Sequence, residues 1–385
     1  MKKVLIVASV ASMIQQFNME NIKILLNKNC KVSVATNFEQ PGTITKEDSD
    51  NLKNKLQTLG IECIQVDFLR GVGNLKQNFL VIKQLKGLSK NQYDLLHVHS
   101  PIGGVLVRIA FNSSKTKILY TAHGFQFYKG GSLKDWLLFF PIEYILSFNT
   151  TAVLTINNKD TEIAKKYFHS EIYQIPGVGI NYAEIQQLLK DKSKDNFLKD
   201  YLRLEKDTLI MISVGELNAN KNQSTVIEAM SKVNNPKLHY IICGIGPDEE
   251  KLINLAKNLN LENNVHFMGY SHDISKFLIS SDFSIFISRR EGLGLAGLEA
   301  MAAGLPLISS YVGGIKDYTK DGCSGYIISD PTDSDLIAQA ITNMVNKNEK
   351  ELEKISNYNQ KIASKYSKEN VNRKMEEIYS KFFDN

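Results

Sequence analysis

Residues 288–310 read SRREGLGLAGLEAMAAGLPLISS, and this stretch joins the end of a strand, a glycine turn and a helix. The β-branched and aromatic run FSIFIS leads into it and ends in the charged residues 289–291; Gly292 and Gly294 then form the turn. Glycine lets a backbone approach a ligand closely, and the first turn of a helix presents unpaired amide N–H groups at its positive dipole end. The stretch therefore predicts a site for a phosphate or a sugar hydroxyl.

Two glutamates of this stretch are placed to contact different parts of one ligand. Glu291 precedes the turn, and Glu299 follows eight residues later on the helix. A carboxylate accepts two hydroxyl hydrogen bonds at once, which suits the vicinal diols of a ribose or a hexose. The alternative interpretation is an alanine-rich core helix that carries two incidental surface glutamates.

Outside this stretch, short β-branched runs alternate with helical segments along the whole chain, a pattern typical of parallel sheets with helical crossovers. The sequence IPGVGIN at 175–181 interrupts the alternation, and we expect an interdomain hinge there. The sequence thus predicts an α/β fold of two facing, doubly wound, Rossmann-like domains, residues 1–178 and 179–366, with ligands bound in the cleft between them. We expect a C-terminal helix, 367–385, to brace the first domain.

The glutamate spacing, the Leu-Glu-Ala at 298–300 and the closing Gly304-Leu305-Pro306 resemble the Glu-x7-Glu signature of glycosyltransferase family 4, retaining enzymes of the GT-B fold. The resemblance implies that Glu299 binds the donor ribose and that Glu291 lies near the transferred sugar. It also implies that the turn backbone contacts the sugar or the phosphate, through Gly292, Leu293, Gly294 and Leu295.

The resemblance extends to SVGELNANKNQ at 213–223, where the family has an arginine after the glycine and a lysine further on, both gripping the donor diphosphate. Gly215 and Lys221 match the glycine and the lysine, and Lys221 is assigned a catalytic role on this basis. Glu216 stands where the family has arginine, so we expect one positive charge fewer at the diphosphate. The alternative for Lys221 is an ordinary solvated lysine at a helix start.

Two further segments are similar to donor-site segments of the family. Gly244 begins the sequence GIGP after a β-like run, and Tyr270 lies in HFMGYSHDI, which resembles the segment that lines the nucleotide base. Gly244-x-Gly246 lacks the third glycine of a dinucleotide-binding fingerprint, and no suitably spaced acidic strand end accompanies it. A redox enzyme of the Rossmann type is therefore disfavoured.

Histidines follow two β-like runs of the first domain, in HVHSP at 97–101 and YTAHGF at 120–125. By resemblance, His123 is the family's histidine near the reacting anomeric centre, where a neutral imidazole hydrogen-bonds a sugar hydroxyl. The corresponding expectations are a structural role for His97 and an acceptor-side position for His99. A lone histidine in a satisfied core environment is the alternative for His123.

Charge is unevenly distributed along the 385 residues. Residues 1–180 carry 21 Lys and Arg against 13 Asp and Glu, and the remainder carries 25 against 28, which gives the net +5. A basic first domain favours an anionic membrane surface or a phosphorylated acceptor, although a lysine-rich solvated surface is an equal alternative. WLLFFPIEYIL at 136–146 is open to two interpretations, a buried core helix or a surface that enters a membrane interface.

Residues and resemblance together predict a retaining, metal-independent glycosyltransferase that needs no cofactor. It would move a hexose or N-acetylhexosamine from a nucleotide-sugar to a glycan acceptor carried on a polyprenyl diphosphate, in the cytoplasm at the inner face of the cell membrane. UDP is the commoner donor nucleotide in the family that the chain resembles, and no residue of the sequence excludes GDP. Such a reaction belongs to bacterial capsule or exopolysaccharide assembly and involves no nucleic acid. The alternatives are a nucleotide-sugar epimerase on the same fold and a non-catalytic sugar-binding protein.

Overall fold

The computed structural model describes residues 1–69, 71, 73–99, 101–128, 131–191, 196–271 and 273–383. The chain divides into two compact units, Met1–Val178 with Glu369–Asn385, and Gly179–Lys368. Each unit is built on one parallel sheet with helices between its strands. The predicted α/β class and its two doubly wound sheets are confirmed.

The N-terminal unit contains a seven-stranded sheet in the order β3-β2-β1-β4-β5-β6-β7 within its described residues. The chain order reverses between β1 and β4, so the carboxyl ends of these two strands flank the switch point where open α/β sheets bind ligands. Its strands are β1 Lys3–Val10, β2 Lys31–Asn37, β3 Glu62–Gln65, β4 Leu95–His99, β5 Lys117–Ala122, β6 Ala152–Thr155 and β7 Glu171–Gln174. Its α-helices are α1 Ala11–Phe17, α2 Met19–Asn27, α3 Lys46–Thr58, α4 Leu75–Leu88, α5 Pro101–Ala110, α6 Leu133–Ser147 and α7 Asn158–Tyr167.

The second unit contains a six-stranded sheet in the order β10-β9-β8-β11-β12-β13, again counted over the residues described. The order reverses between β8 and β11, so the loops that follow these two strands meet at the switch point. Its strands are β8 Leu209–Val214, β9 Leu238–Cys243, β10 Val265–Gly269, β11 Phe283–Phe286, β12 Leu307–Ser310 and β13 Gly325–Ile328. Its α-helices are α8 Tyr182–Leu189, α9 Phe197–Leu202, α10 Gln223–Val233, α11 Glu249–Asn258, α12 Ile274–Ile279, α13 Leu295–Ala302, α14 Ser334–Val345 and α15 Glu349–Ala363.

The last helix, α16 (Lys368–Phe383), packs into the N-terminal unit. Its buried apolar side chains recur at helical spacing, at Val371, Met375, Ile378, Tyr379 and Phe382. The hydroxyl of Tyr379 lies 2.6 Å from Nδ1 of His97 on β4, and both residues are fully buried. The helix therefore anchors a strand that leads to the ligand-binding edge of the first sheet.

Helix α6 is only partly buried, so the interpretation of 136–146 as a core helix is wrong for its outer side. Trp136 and Phe140 pack against Phe127 with ring centroids 5.3 and 5.4 Å away. Leu137 and Ile145, in contrast, are 70% and 64% exposed. The helix carries apolar residues on all of its sides, so its sequence could not reveal which side faces the core. Among the described helices none is long and apolar enough to cross a membrane.

Candidate active site

The site of the second unit is built by two loops that flank the switch point, 215–222 after β8 and 287–294 after β11. Three hydrogen bonds join the loops: Arg289 N–H donates to the carbonyl of Asn220 at 2.8 Å, the Asn220 amide donates to the carbonyl of Arg290 at 3.0 Å, and the Arg289 guanidinium donates to Oδ1 of Asn222 at 3.1 Å. Asn218 Oδ1 accepts the backbone N–H of Lys221 at 3.0 Å. These contacts fix the position from which the lysine side chain projects.

Lys221 and Glu291 form an ion pair across the two loops. The lysine Nζ lies 2.6 Å from Oε1 of the glutamate, and the side chains are only 22% and 11% exposed. The same Nζ lies 5.1 Å from the ring centroid of Phe286, at the end of β11, within cation–π range. The structure thus brings together two of the three residues that sequence reasoning assigned to catalysis.

Gly292, Leu293, Gly294 and Leu295 form the turn into α13. Gly294 occupies the N-cap position with φ +84°, and no side chain caps the helix. A Cβ at Gly294 would lie 2.7 Å from Phe286 and 2.9 Å from the hydroxyl of Tyr318. That hydroxyl donates a 2.9 Å hydrogen bond to the carbonyl of Gly294. The turn accepts only glycine here, and the uncapped helix start offers amide N–H groups to an anion.

Sequence reasoning missed the support beneath this turn, Gly313 and Gly314. A Cβ at Gly313, whose φ is +48°, would lie 1.7 Å from the carbonyl oxygen of Glu291. A Cβ at Gly314 would lie 2.4 Å from the carbonyl oxygen of Gly292, which accepts the Gly314 N–H at 3.1 Å. The available signal was a glycine pair just after a strand end, at the same edge of the sheet.

Glu299 lies in the second turn of α13 and is partly buried. Burial raises the pKa of its carboxyl to about 7, and the nearby Lys368 ammonium partly opposes that rise. A carboxyl with this pKa is close to half-ionised at neutral pH. A hydroxyl donor or a cation of a bound ligand would therefore shift this carboxyl toward its ionised form.

The other predicted donor-site residues lie on neighbouring loops and differ in exposure. Gly215 follows β8, and Gly244 follows β9. A Cβ at Gly244 would lie 1.9 Å from the carbonyl oxygen of Gly215, so the packing of the two loops alone requires glycine at position 244. The side chain of Glu216 is exposed. Tyr270 follows β10 and is 61% exposed. The HFMGYSHDI segment also includes His272, which lies outside the described residues.

In the N-terminal unit, three histidines cluster at the carboxyl ends of β4 and β5. Nδ1 of His99 lies 3.1 Å from Nε2 of His123, and His97 Nε2 lies 2.8 Å from the Thr121 hydroxyl. The ring of Phe17, at the end of α1, lies 5.3 Å from that of His123. Burial lowers the pKa of His97 to about 3 and that of His123 to about 4, and it also lowers that of His99. All three rings are therefore neutral at pH 7.

The hydrogen-bond pattern favours one tautomer of His123. Nε2 of His99 is buried and has no hydrogen-bond partner among the residues described. A proton there would be a buried, unsatisfied donor that costs about 1–3 kcal/mol, whereas a bare lone pair costs less. The His99 proton therefore belongs on Nδ1, from which it donates to Nε2 of His123. Neutral His123 then carries its own proton on Nδ1.

Two Asp-Ser-Asp triplets occur at 48–50 and 333–335, and each begins a helix. Asp48 completes a capping box with Thr45, and Asp333 is the N-cap of α14. Within the described part of the chain, no three His, Cys, Asp or Glu side chains are grouped as a metal site would require.

Comparison with known proteins identifies the family to which this chain belongs. A family profile described as "Glycosyl transferases group 1" matches residues 194–362, and one described as "Glycosyl transferase 4-like" matches residues 3–157. EpsD of Bacillus subtilis (strain 168), which bears the name of a glycosyltransferase, is 35% identical over 316 residues, 80% of this chain and 82% of EpsD. The chain therefore belongs to the family-4-like glycosyltransferases and is a glycosyltransferase, as the sequence resemblance implied.

A second relative and two solved structures extend the comparison. The UDP-Gal:alpha-D-GlcNAc-diphosphoundecaprenol alpha-1,3-galactosyltransferase of Escherichia coli is 26% identical over 321 residues, 82% of this chain and 80% of that protein. Anabaena HepE in complex with UDP and glucose has a TM-score of 0.76 and 18% identity over 99% of this chain and 100% of HepE. WaaG, a glycosyltransferase involved in lipopolysaccharide biosynthesis, has a TM-score of 0.69 and 17% identity over 97% and 99% of the two chains. The fold is the GT-B fold.

Proposed function

We propose that the protein is a retaining, metal-independent glycosyltransferase that moves a hexose or N-acetylhexosamine from a UDP-sugar to a hydroxyl of a polyprenyl-diphosphate-linked glycan. The reaction would take place at the inner face of a bacterial cell membrane, in surface polysaccharide assembly. The observation that carries the proposal is the Lys221–Glu291 pair at the switch point of the second sheet, beside the uncapped start of α13. The lysine ammonium and the helix amides suit the diphosphate of a sugar nucleotide, and the carboxylate suits the hydroxyls of its sugar.

On the donor side, each group has a role that its chemistry allows. The Lys221 ammonium and the first amides of α13 offset the charge that grows on the leaving diphosphate. Glu299 accepts the two ribose hydroxyls, and Glu291 accepts hydroxyls of the transferred sugar. Because Glu291 already neutralises Lys221 in the free protein, a bound donor would share the lysine with it.

The transfer step in this proposal occurs on one face of the sugar. The bond from the anomeric carbon to the phosphate oxygen breaks, and the bond to the acceptor oxygen forms on the same face, which retains the configuration. The acceptor oxygen attacks the anomeric carbon directly, so no protein nucleophile is needed, and the acceptor proton passes to the leaving phosphate oxygen, so no protein base is needed. The Nδ1–H of His123 would donate to a hydroxyl at the reacting centre, and the site lowers the barrier chiefly through position and charge.

Support for the donor and acceptor comes from the relatives. HepE was solved with UDP and glucose, and the Escherichia coli relative is named for transfer from UDP-Gal to a sugar on diphosphoundecaprenol. That name specifies an alpha-linked product. The apolar side chains exposed on α6 and the lysine excess of residues 1–180 favour an anionic membrane surface as the place where such an acceptor is met.

The proposal is tested by incubating the protein with a panel of UDP- and GDP-sugars and a polyprenyl-diphosphate-linked acceptor sugar in the presence of EDTA. We expect one UDP-sugar to yield a product whose new linkage, by NMR, keeps the donor's anomeric configuration. An inverted linkage or a strict metal requirement would overturn the mechanism. Conversion of the donor sugar without any acceptor would instead favour the epimerase. A vesicle flotation assay tests the membrane contact. We expect the protein to float with anionic vesicles and not with neutral ones.

A further inference from the structure

The N-terminal unit contains an apolar pocket that the donor chemistry does not use. It has a volume of about 180 Å³ and lies between α4, α5, α6 and the loop after β5. Its interior is formed by side chains that are almost wholly buried, Leu106, Tyr120, Phe125 and Phe127, and its rim by the more exposed Leu138 and Ile142. For comparison, an apolar cavity of about 150 Å³ accepts a benzene molecule. The pocket therefore has room for about one isoprene unit.

The only carboxylate that lines the pocket among the described residues is already neutralised. Glu143 Oε2 lies 2.9 Å from the Arg108 guanidinium, and both side chains are buried. The arginine also stacks on Tyr120, 4.0 Å from its ring centroid, and donates from Nε to the carbonyl of Gly104 at 2.9 Å. The opposite charges of Arg108 and Glu143 cancel, so this pair leaves no net charge to attract a headgroup. The pocket thus suits an apolar chain.

The surface around the pocket is apolar and basic. On α4, Leu75 and Phe79 are 91% and 68% exposed, and Leu137 and Ile145 of α6 are similarly exposed. Lys76 and Lys83 lie three residues before and four after Phe79, on the same face of α4, and this helix contains no Asp or Glu. An exposed apolar surface that includes a helix with lysines and no carboxylates is complementary to the face of an anionic bilayer.

The pocket also lies beside the histidine cluster. Gly124 and Phe125, the two residues that follow His123, line it. Consecutive Cα atoms are about 3.8 Å apart, so the wall of the pocket begins within two residues of His123. This proximity to a candidate site residue distinguishes the pocket from an apolar surface that only touches the bilayer.

We propose that this pocket binds the first isoprene unit of the polyprenyl chain of the lipid-linked acceptor, with the rest of the chain lying along the exposed face of α4 and α6. The inference rests on the proposed function for the identity of the lipid. The pocket would select acceptors by their chain, independently of the sugar that they carry. It would also hold the acceptor diphosphate close to the end of β5.

The single tryptophan of the chain is a built-in reporter for this site. Trp136 packs 5.3 Å from Phe127, which lines the pocket, and it is the source of all tryptophan fluorescence. Titration with monomeric farnesyl monophosphate, without vesicles or UDP-sugar, is expected to change that fluorescence saturably. Val105→Phe, which fills the pocket, and Ile142→Glu, which charges its rim, are expected to weaken binding at least tenfold. Leu59→Glu, at an apolar position of similar exposure at the end of α3, outside both the pocket and the surface of α4 and α6, is expected to bind within twofold of wild type.

Three results would overturn the inference: no saturable response, equal binding of palmitate, or equal effects of Ile142→Glu and Leu59→Glu. Circular dichroism and the melting temperature establish that the variants fold. Transfer assays separate this inference from the proposed function: Ile142→Glu should slow transfer to a polyprenyl-linked acceptor and leave transfer to a short soluble acceptor unchanged. A wild-type protein that binds farnesyl monophosphate but transfers no sugar would refute the function and leave the pocket assignment intact.

Discussion

The ammonium nitrogen of Lys221 lies 2.6 Å from a carboxylate oxygen of Glu291, although 70 residues separate them in the sequence. Hydrogen bonds between the loops after β8 and β11 hold the two backbones in place, so the contact does not depend on the flexible side chains alone. Each partner neutralises the other at the switch point. The free protein therefore keeps both charges oriented at the place where a sugar diphosphate would bind.

Replacement of Lys221 by Ala is expected to lower kcat/KM by about 10²–10³-fold, because it removes a preorganised cation from the leaving diphosphate. It also leaves Glu291 without its counter-charge, which weakens binding of the anionic donor. Steady-state kinetics with a UDP-sugar measure the loss. Lys232→Ala is the matched control, because Lys232 forms a pair of equal length with Asp335 that is far more exposed; equal losses in the two variants would contradict the assigned role.

Glu299 should make stability depend on pH. Its folded-state pKa is about 7 because of burial, whereas an unfolded Glu titrates near 4.3. Between these values the folded protein binds the extra proton, so this residue's contribution to stability is lost as pH rises through about 7. We expect the change in melting temperature caused by Glu299→Gln to be more positive at pH 8 than at pH 5. The difference should be about 2–4 °C for each kcal/mol of unfolding free energy that the substitution restores. A difference that does not change between pH 5 and 8 would rule out the raised pKa.

Gly313→Ala is expected to weaken UDP-sugar binding as well as stability, because its Cβ would displace the carbonyl of Glu291. Gly322→Ala is the control: Gly322 also has a positive φ, +71°, but a Cβ there meets nothing within 4 Å. The control should lose about 1–2 kcal/mol of stability from backbone strain alone and keep its affinity for the donor. Thermal unfolding and calorimetric titration separate the two effects, and equal donor affinity in both variants would show that the turn tolerates the displacement.

His123 should be found as the Nδ1–H tautomer at pH 7. The chemical shifts of imidazole nitrogens distinguish the two neutral tautomers, so ¹⁵N NMR of the folded protein measures this directly. His99→Asn, whose amide can donate from nearly the same place as Nδ1, should keep the tautomer, whereas His99→Leu should release it and lower kcat/KM about tenfold, or roughly 1.4 kcal/mol. An Nε2–H signal from His123 in the wild type would contradict the hydrogen-bond argument.

The sequence predicted the parts of this protein that depend on local order along the chain. Strand, turn and helix at 283–302 follow from residue type and spacing, and so does the buried stripe of α16. Contacts between segments that are distant in the chain could not be predicted from the sequence. Nothing in the residues around Gly313 indicates that the carbonyl of Glu291 lies against this glycine. The same limit explains Gly244, where the predicted ligand contact coincides with a packing requirement set by Gly215.

The sequence left α6 open for a different physical reason. A helix with apolar residues on all sides has no polar face to indicate which side meets solvent. Only the packing of Trp136 and Phe140 against Phe127 decides its orientation. The apolar surface and the pocket beside it could therefore be found only from the folded chain.

In the proposed function the loops after β8 and β11, with α13, bind a UDP-sugar through Lys221, Glu291 and Glu299. The decisive measurement is calorimetric titration of UDP into the wild type and the three single alanine variants, with EDTA present throughout. We expect saturable binding to the wild type and at least tenfold weaker binding to Lys221→Ala and Glu299→Ala, with all variants folded. Equal affinity across the four proteins, or no binding to the wild type, would refute this assignment.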